Sequence, residues 1–201
     1  MGITPQQFER MKSRVGARRT ASPLLEAGLS PGGPAHQIIL GVDPSLRGTG
    51  YGVIRLGKPN AQALACGVIR NAPTLAHSRC LLRIVEELRE VLRAHRPTVC
   101  AIEGLFYAQN LQTTLTMGEA RGAALFCVAE AGLEIYEIAP RKVKQAIVGY
   151  GAAQKLAVAK MVQRLLNMPE LPSPDAADAL AVALAHAQSQ GRYSLNPAKR
   201  I

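Results

Sequence analysis

The chain of 201 residues is long enough for one well-filled hydrophobic core and too short for two full domains. Its 24 Lys plus Arg against 14 Asp plus Glu leave a formal net charge of +10, which favours a polyanion over an acidic metabolite as partner. No apolar run approaches the roughly 18 residues of a membrane span, and Cys66, Cys80, Cys100 and Cys127 stand too far apart for a zinc site or a disulfide framework.

Residues 1–36 hold five basic residues (Arg10, Lys12, Arg14, Arg18, Arg19), two acids (Glu9, Glu26) and no amphipathic period, and they end in the breaker-rich SPGGP. They read as a flexible basic extension, either a weak DNA-binding arm or an unselected tail. The start lacks the apolar stretch of a secretory signal, and unpaired cysteines make the cytoplasm the expected compartment. A domain over 37–190 opens with QIILGVDPS, YGVIRL and ALACGVIR, three β-rich segments close enough for an antiparallel meander. Gly48, Gly50 and Gly52 lack the strand-to-helix setting of a nucleotide loop and read as hairpin glycines.

Ser78 to His95 carries an apolar stripe (Leu81, Leu82, Ile84, Val85, Leu88, Val91, Leu92) at helical spacing. Pro97 ends that helix, and TVCAI is a buried strand delivering Glu103 at its end. A second helix over about 111–131, a strand in LEIYEI and helices over about 141–148 and 153–166 follow. The last helix starts after Pro172, with Ser173 placed to cap it and Pro174 in its first turn. This order predicts an α/β fold, a mixed five-stranded sheet of antiparallel meander plus parallel strands flanked by helices, with 191–201 as a tail.

Four carboxylates stand out. Asp43 and Glu103 each end an apolar β-rich run, where a side chain projects beyond the sheet edge. Asp175 and Asp178 lie three apart, about 60° from each other on one helix face. Taken singly, each fits a turn or a complement to the helix dipole as well as a site. Taken together, costly acids in apolar surroundings point to a hard-cation site, with Mg²⁺ or Mn²⁺ as the ion. Two ions roughly 4 Å apart would clamp a phosphodiester and cancel the four negative charges.

GVDPSLRGTGYGVI, AIEGLFYAQN, ARGAA, APRKVKQAIVGYGAAQK and DAADALAVAL, in this order, resemble the RuvC Holliday-junction resolvases of the ribonuclease-H-like superfamily, from about Ile38 to about Ala187. The resemblance implies a ribonuclease-H-like fold, with Asp43, Glu103, Asp175 and Asp178 binding two Mg²⁺ per subunit. It also implies a homodimer acting on four-way DNA junctions by paired hydrolytic nicks, leaving ligatable 5′-phosphate and 3′-hydroxyl ends in recombination and repair. A branch-migration helicase complex of the RuvA and RuvB type is the implied protein partner. Ser45 stands where the family usually has glycine and Gly104 where glutamine is common, so the departures fall on junction contacts.

Between Ala139 and Arg164 there are six basic residues and no acid, a composition suited to tracking a phosphate backbone. Lys144 and Lys155 match the family's DNA-contacting positions, and Arg141 and Lys142 stand beside them. Lys160 and Arg164 read as a solvated face. Phe106, just beyond Glu103, is placed either to stack on an unpaired base or to pack in the core. The histidines show no metal spacing, and His186 reads as a helix-surface residue. Two rivals are an actin-like ATPase, which needs two such domains, and a junction-binding protein whose acids only cap and turn.

Overall fold

A computed structural model describes residues 36–105, 110–190 and 198–201. Strand β1 (Ile38–Asp43) pairs antiparallel with β2 (Gly48–Arg55), and β2 pairs with β3 (Gln62–Arg70) through an irregularity at Val53/Ile54. Helix α1 (His77–His95) returns the chain to β4 (Val99–Glu103), parallel to β1 with Val42 opposite Ile102. Helix α2 (Leu111–Glu130) leads to β5 (Ile135–Ile138), parallel to β4 with Glu103 opposite Ile138. Helices α3 (Pro140–Val148), α4 (Lys155–Leu165) and α5 (Pro174–Ser189) follow, and β6 (Lys199–Arg200) pairs antiparallel with β5.

The sheet order is β3-β2-β1-β4-β5-β6, six strands where five were expected. Residues 199–200, assigned to a tail, add the sixth. Two residues, Lys and Arg, carry no alternating hydrophobicity, so no periodic signal marks them. They are fixed instead by the edge of β5, through Ile201 N–H donating to Ile135 C=O at 3.0 Å, and by Arg200 Nη1 at 2.7 Å from Glu134 Oε1.

Strand alternation divides the core into two layers. Ile39, Val99, Ala101 and Ile138 face α3, α4 and α5, where Val143, Ile147, Val158, Val162 and Leu180 cover them. Leu40, Val42, Cys100 and Ile102 face α1 and α2, against Ile84, Leu88, Ala120, Ala124 and Val128. Being covered on both sides is why β1 and β4 read as near-continuous apolar runs. All four cysteines are free, and Cys80, Cys100 and Cys127 are buried.

Helix α5 is buried almost all round, from Ala176 to His186. Its seat is glycine. A Cβ on Gly41 would lie 2.1 Å from Ala179 O, one on Gly50 2.1 Å from Asp175 O and one on Gly52 2.7 Å from the Leu180 side chain. Gly41 pairs directly with Gly52, and Gly50 and Gly52 share a face of β2. These glycines therefore lie inside the strands and admit a helix backbone, correcting the hairpin reading. Pro174 opens α5 as expected, but the Ser173 side chain makes no capping bond; its carbonyl accepts from Ala177 N–H at 2.8 Å.

Candidate active site

Asp43 and Glu103 are the last residues of two adjacent parallel strands. By alternation both side chains fall on the α5 face, where Gly41 and Ala101 also lie. Asp175 and Asp178 sit in the first two turns of α5, which the glycine seat lowers onto the ends of β1 and β2. A Cβ on Gly48 would stand 3.2 Å from Asp175 Oδ2. One cleft of about 330 Å³ is lined by all four acids together with Ser45, Met117, Lys144 and Lys155. The four carboxylates, more than 130 residues apart along the chain at the extremes, therefore share a single space.

Burial dominates the electrostatics of the strand-end pair. The Glu103 carboxyl is pushed up to about 8, first by desolvation, then by the Asp43 charge, a hydrogen bond with Asp43 and the charge of Asp178. Asp43 is also raised by burial, although its bond to Glu103 favours its charged form. The two acids thus share a proton near neutral pH, with Glu103 as its holder. Lys155 Nζ donates to Asp178 Oδ2 at 2.9 Å, and that bond raises the lysine against the opposing effect of burial.

All-oxygen donors crowded by like charge suit a hard divalent cation, so the donor set fits the ion the sequence implies. Among the described residues, no three His, Cys, Asp or Glu side chains close around a single point. Asp43 instead pairs with Glu103, and Asp178 with Lys155. The donor set and its cleft are in place.

The expected DNA contacts divide. Lys144, half-buried on α3, and Lys155, at the start of α4, line the cleft. Arg141 and Lys142 are exposed and stand outside it, and the Arg141 side chain lies where a Cβ on Gly151 would meet its Cγ at 2.4 Å. Lys160 and Arg164 are exposed on α4, away from the acids. Phe106 lies outside the described residues, as do all but one of residues 1–36.

Ser45 carries its Cβ without strain, because among the described residues Arg96 and Asn167 alone combine a side chain with positive φ. Its N–H donates to Thr49 Oγ1 at 3.2 Å and its C=O accepts from the Thr49 hydroxyl at 2.6 Å, a closed pair that pins the turn after Asp43. His186 is corrected: it is fully buried at the far end of α5, stacked on His36 and against Tyr136. Sequence reading also missed the glycine seat, although Gly48, Gly50 and Gly52 at intervals of two signalled a bare strand face.

An acidic cleft rimmed by lysines, at the strand ends of a sheet in this order with helices on both faces, defines a nuclease of the ribonuclease-H-like kind. The sequence model described as "Crossover junction endodeoxyribonuclease RuvC" matches residues 39–186. Proteins of that name from Pelotomaculum thermopropionicum and Zymomonas mobilis are 42% and 46% identical to this chain over 151 and 150 residues; the matches take in 75% of this chain in each case and 92% and 90% of the relatives. The solved structure of Thermus thermophilus RuvC in complex with Holliday junction substrate superposes with a TM-score of 0.75 at 35% identity, covering 83% of this chain and 100% of that one. The yeast mitochondrial Holliday junction resolvase Ydc2, at 14% identity and a TM-score of 0.56 over 78% of this chain and 79% of that one, shares the fold. The chain belongs to the RuvC crossover junction endodeoxyribonuclease family. It is accordingly a nuclease, and the family's nucleases are metal-dependent.

Proposed function

We propose that this chain resolves four-way DNA junctions as a homodimer, each subunit hydrolysing one phosphodiester with two Mg²⁺, for which Mn²⁺ substitutes, and leaving ligatable 5′-phosphate and 3′-hydroxyl nicks. The carrying observation is the meeting of Asp43, Glu103, Asp175 and Asp178 with Lys144 and Lys155 in one cleft. Bound divalent cations would supply Lewis acidity and an activated water there. Asp43, Glu103 and Asp175 would hold the two ions, and Asp178 would orient the water or complete the donor set. Lys155 holds Asp178 in place, and as the acids' charge is taken up it becomes free to meet a phosphate. Lys144 draws the backbone into the cleft, and Arg141 and Lys142 extend the positive track along α3. Phe106 follows Glu103 closely enough in the chain to stack on an unpaired base.

The solvent-facing side of α2 supports the dimer. Leu111 (73% exposed), Leu115 and Phe126 (58%) share one helix face with Gly118 and Gly122, which have open space around them. An apolar face of this kind fits a second copy. Family membership supports a branch-migration helicase complex of the RuvA and RuvB type as partner. Bacterial relatives and four unpaired cysteines support the cytoplasm as the place of work. We read 37–190 as the nuclease domain and 1–36 as an extension whose basic residues add salt-sensitive affinity.

Cleavage of a synthetic four-way junction in Mg²⁺ tests this reading. The wild type is expected to cut symmetrically across opposed strands. Asp43→Asn is expected to lose about a hundredfold or more in kcat while still binding the junction in a gel-shift assay. Undiminished cutting by that variant would overturn the chemistry.

A further inference from the structure

Asp43 and Glu103 face α5; directly behind them, on the α2 face of the sheet, lies a second polar pair. Because residues alternate along a strand, Gly104 turns away from the side that Glu103 takes, and Glu137 away from that of Ile138. The β4–β5 ladder runs one step beyond Glu103, with Gly104 N–H donating to Ile138 C=O at 2.9 Å. A Cβ on Gly104 would meet Glu137 Cγ at 3.3 Å and Cδ at 3.5 Å. The Glu137 side chain therefore borders the space above Gly104 so closely that a methyl group there would press against it.

Glu137 is held there by α2. Its Oε2 accepts from Arg121 Nη2 in an ion pair whose side chains are 31% and 13% exposed. Arg121 Nε is buried with no hydrogen-bond partner. Such a pair is a poor stabiliser, since desolvating two charges and leaving one donor unmet offsets much of their attraction. Its placement offers a better account than stability does. The pair clamps α2 to the last residues of β5 and packs beneath the backbone that presents Glu103.

We propose that Glu137 and Arg121 are positioning residues for the Glu103 carboxylate, fixing the end of β4 from behind; the role rests on the junction-cleaving reading above. Removing the Glu137 side chain lets residues 103 and 104 shift, and a small misplacement at a catalytic group costs about tenfold in rate or more. Junction affinity does not pass through this pair, so KM is spared.

The test uses the full chain on a synthetic four-way junction, with kcat, KM, the Mg²⁺ concentration at half-maximal rate, and Tm measured for each variant. Glu137→Ala is expected to lower kcat about tenfold and raise the Mg²⁺ midpoint several-fold, with KM within about twofold. Glu137→Gln, which keeps the shape, is expected to hold kcat within about threefold of the wild type. Gly104→Ala is expected to slow the wild type several-fold but to add no loss in the Glu137→Ala background, because the atoms it crowds are gone. Variants that lose Tm yet keep the wild-type kcat and Mg²⁺ midpoint would make the pair merely structural and overturn the proposal. Equal losses from Gly104→Ala in both backgrounds would overturn it too. A wild type that cuts no junction overturns the functional reading itself, and this role with it; only a cutting wild type with unaffected variants removes the role alone.

Discussion

Asp43 and Glu103 place two carboxylic acids where water is scarce, and their shared proton is the consequence. Glu103, usually near 4.5, is held near 8 in the fold, so the native state binds a proton that the unfolded chain has released between those values. The associated stability is complete below about pH 4.5 and is lost as pH rises through about 8. With divalent cations chelated, calorimetry should therefore show Tm falling from pH 5 to pH 8.5, and Glu103→Gln should flatten that fall. Mg²⁺ competes with the same proton, so the rise in Tm on adding Mg²⁺ should be larger at pH 8 than at pH 6. A buried histidine works in the opposite sense and far from the cleft. His186 is lowered to about 4 by burial and by His36, and it stays neutral as part of an aromatic stack.

At the scale of elements, α5 and the glycine face of β1 and β2 act as one unit. An alanine tolerates most strand positions, but at Gly50 its Cβ would fall 2.1 Å from the Asp175 carbonyl oxygen. Helix α5 would have to lift, carrying Asp175 and Asp178 with it. Gly50→Ala should cost about 1–3 kcal/mol in chemical denaturation and reduce cleavage more than an equally destabilising substitution in α1. A Gly50→Ala protein that unfolds early but cuts normally per folded molecule would show that the acids do not depend on this seat. The turn after Asp43 is held separately. Arg47 Nη1 donates to the carbonyls of Ala72 and Leu75 at 2.6 and 3.1 Å, and Asn71 Nδ2 to that of Leu46 at 2.7 Å. The first acid thus rests on the β3–α1 connection, and the last two on α5.

Over the whole sequence the formal charge is +10, whereas the charged side chains that line the cleft are four acids against two lysines. On the function proposed above, the charge that attracts DNA and the site that cuts it differ in sign, and bound cations would reconcile them locally. Lys144 is the half-buried lysine on the cleft wall, so Lys144→Gln should weaken junction binding uniformly across sequences and reduce the salt slope by about 1. The apolar face of α2 makes a prediction of its own. Leu115→Glu should shift the protein from dimer to monomer in analytical ultracentrifugation, and a dimer that survives it would move the interface elsewhere.

Apolar period, breakers and charge are local properties, so the four acids, the lysine-rich helix pair and the order of the helices and of strands β1 to β5 were legible along the chain. It reached Asp43 and Glu103 as strand ends for the same reason: a carboxylate that terminates an apolar run is visible one residue at a time. Besides β6, three matters were left to the tertiary structure. Gly41 and Gly52 became neighbours only when β1 and β2 paired, so their service to α5 is a property of register. His186 looked like a surface residue because an alanine-rich helix gives little sign of which face is covered, and α5 proved to be covered all round. The pairing of Lys155 with Asp178, and of Arg121 with Glu137, joins residues 23 and 16 apart on different elements. Charge pairing across elements depends on packing distance, which no local pattern encodes.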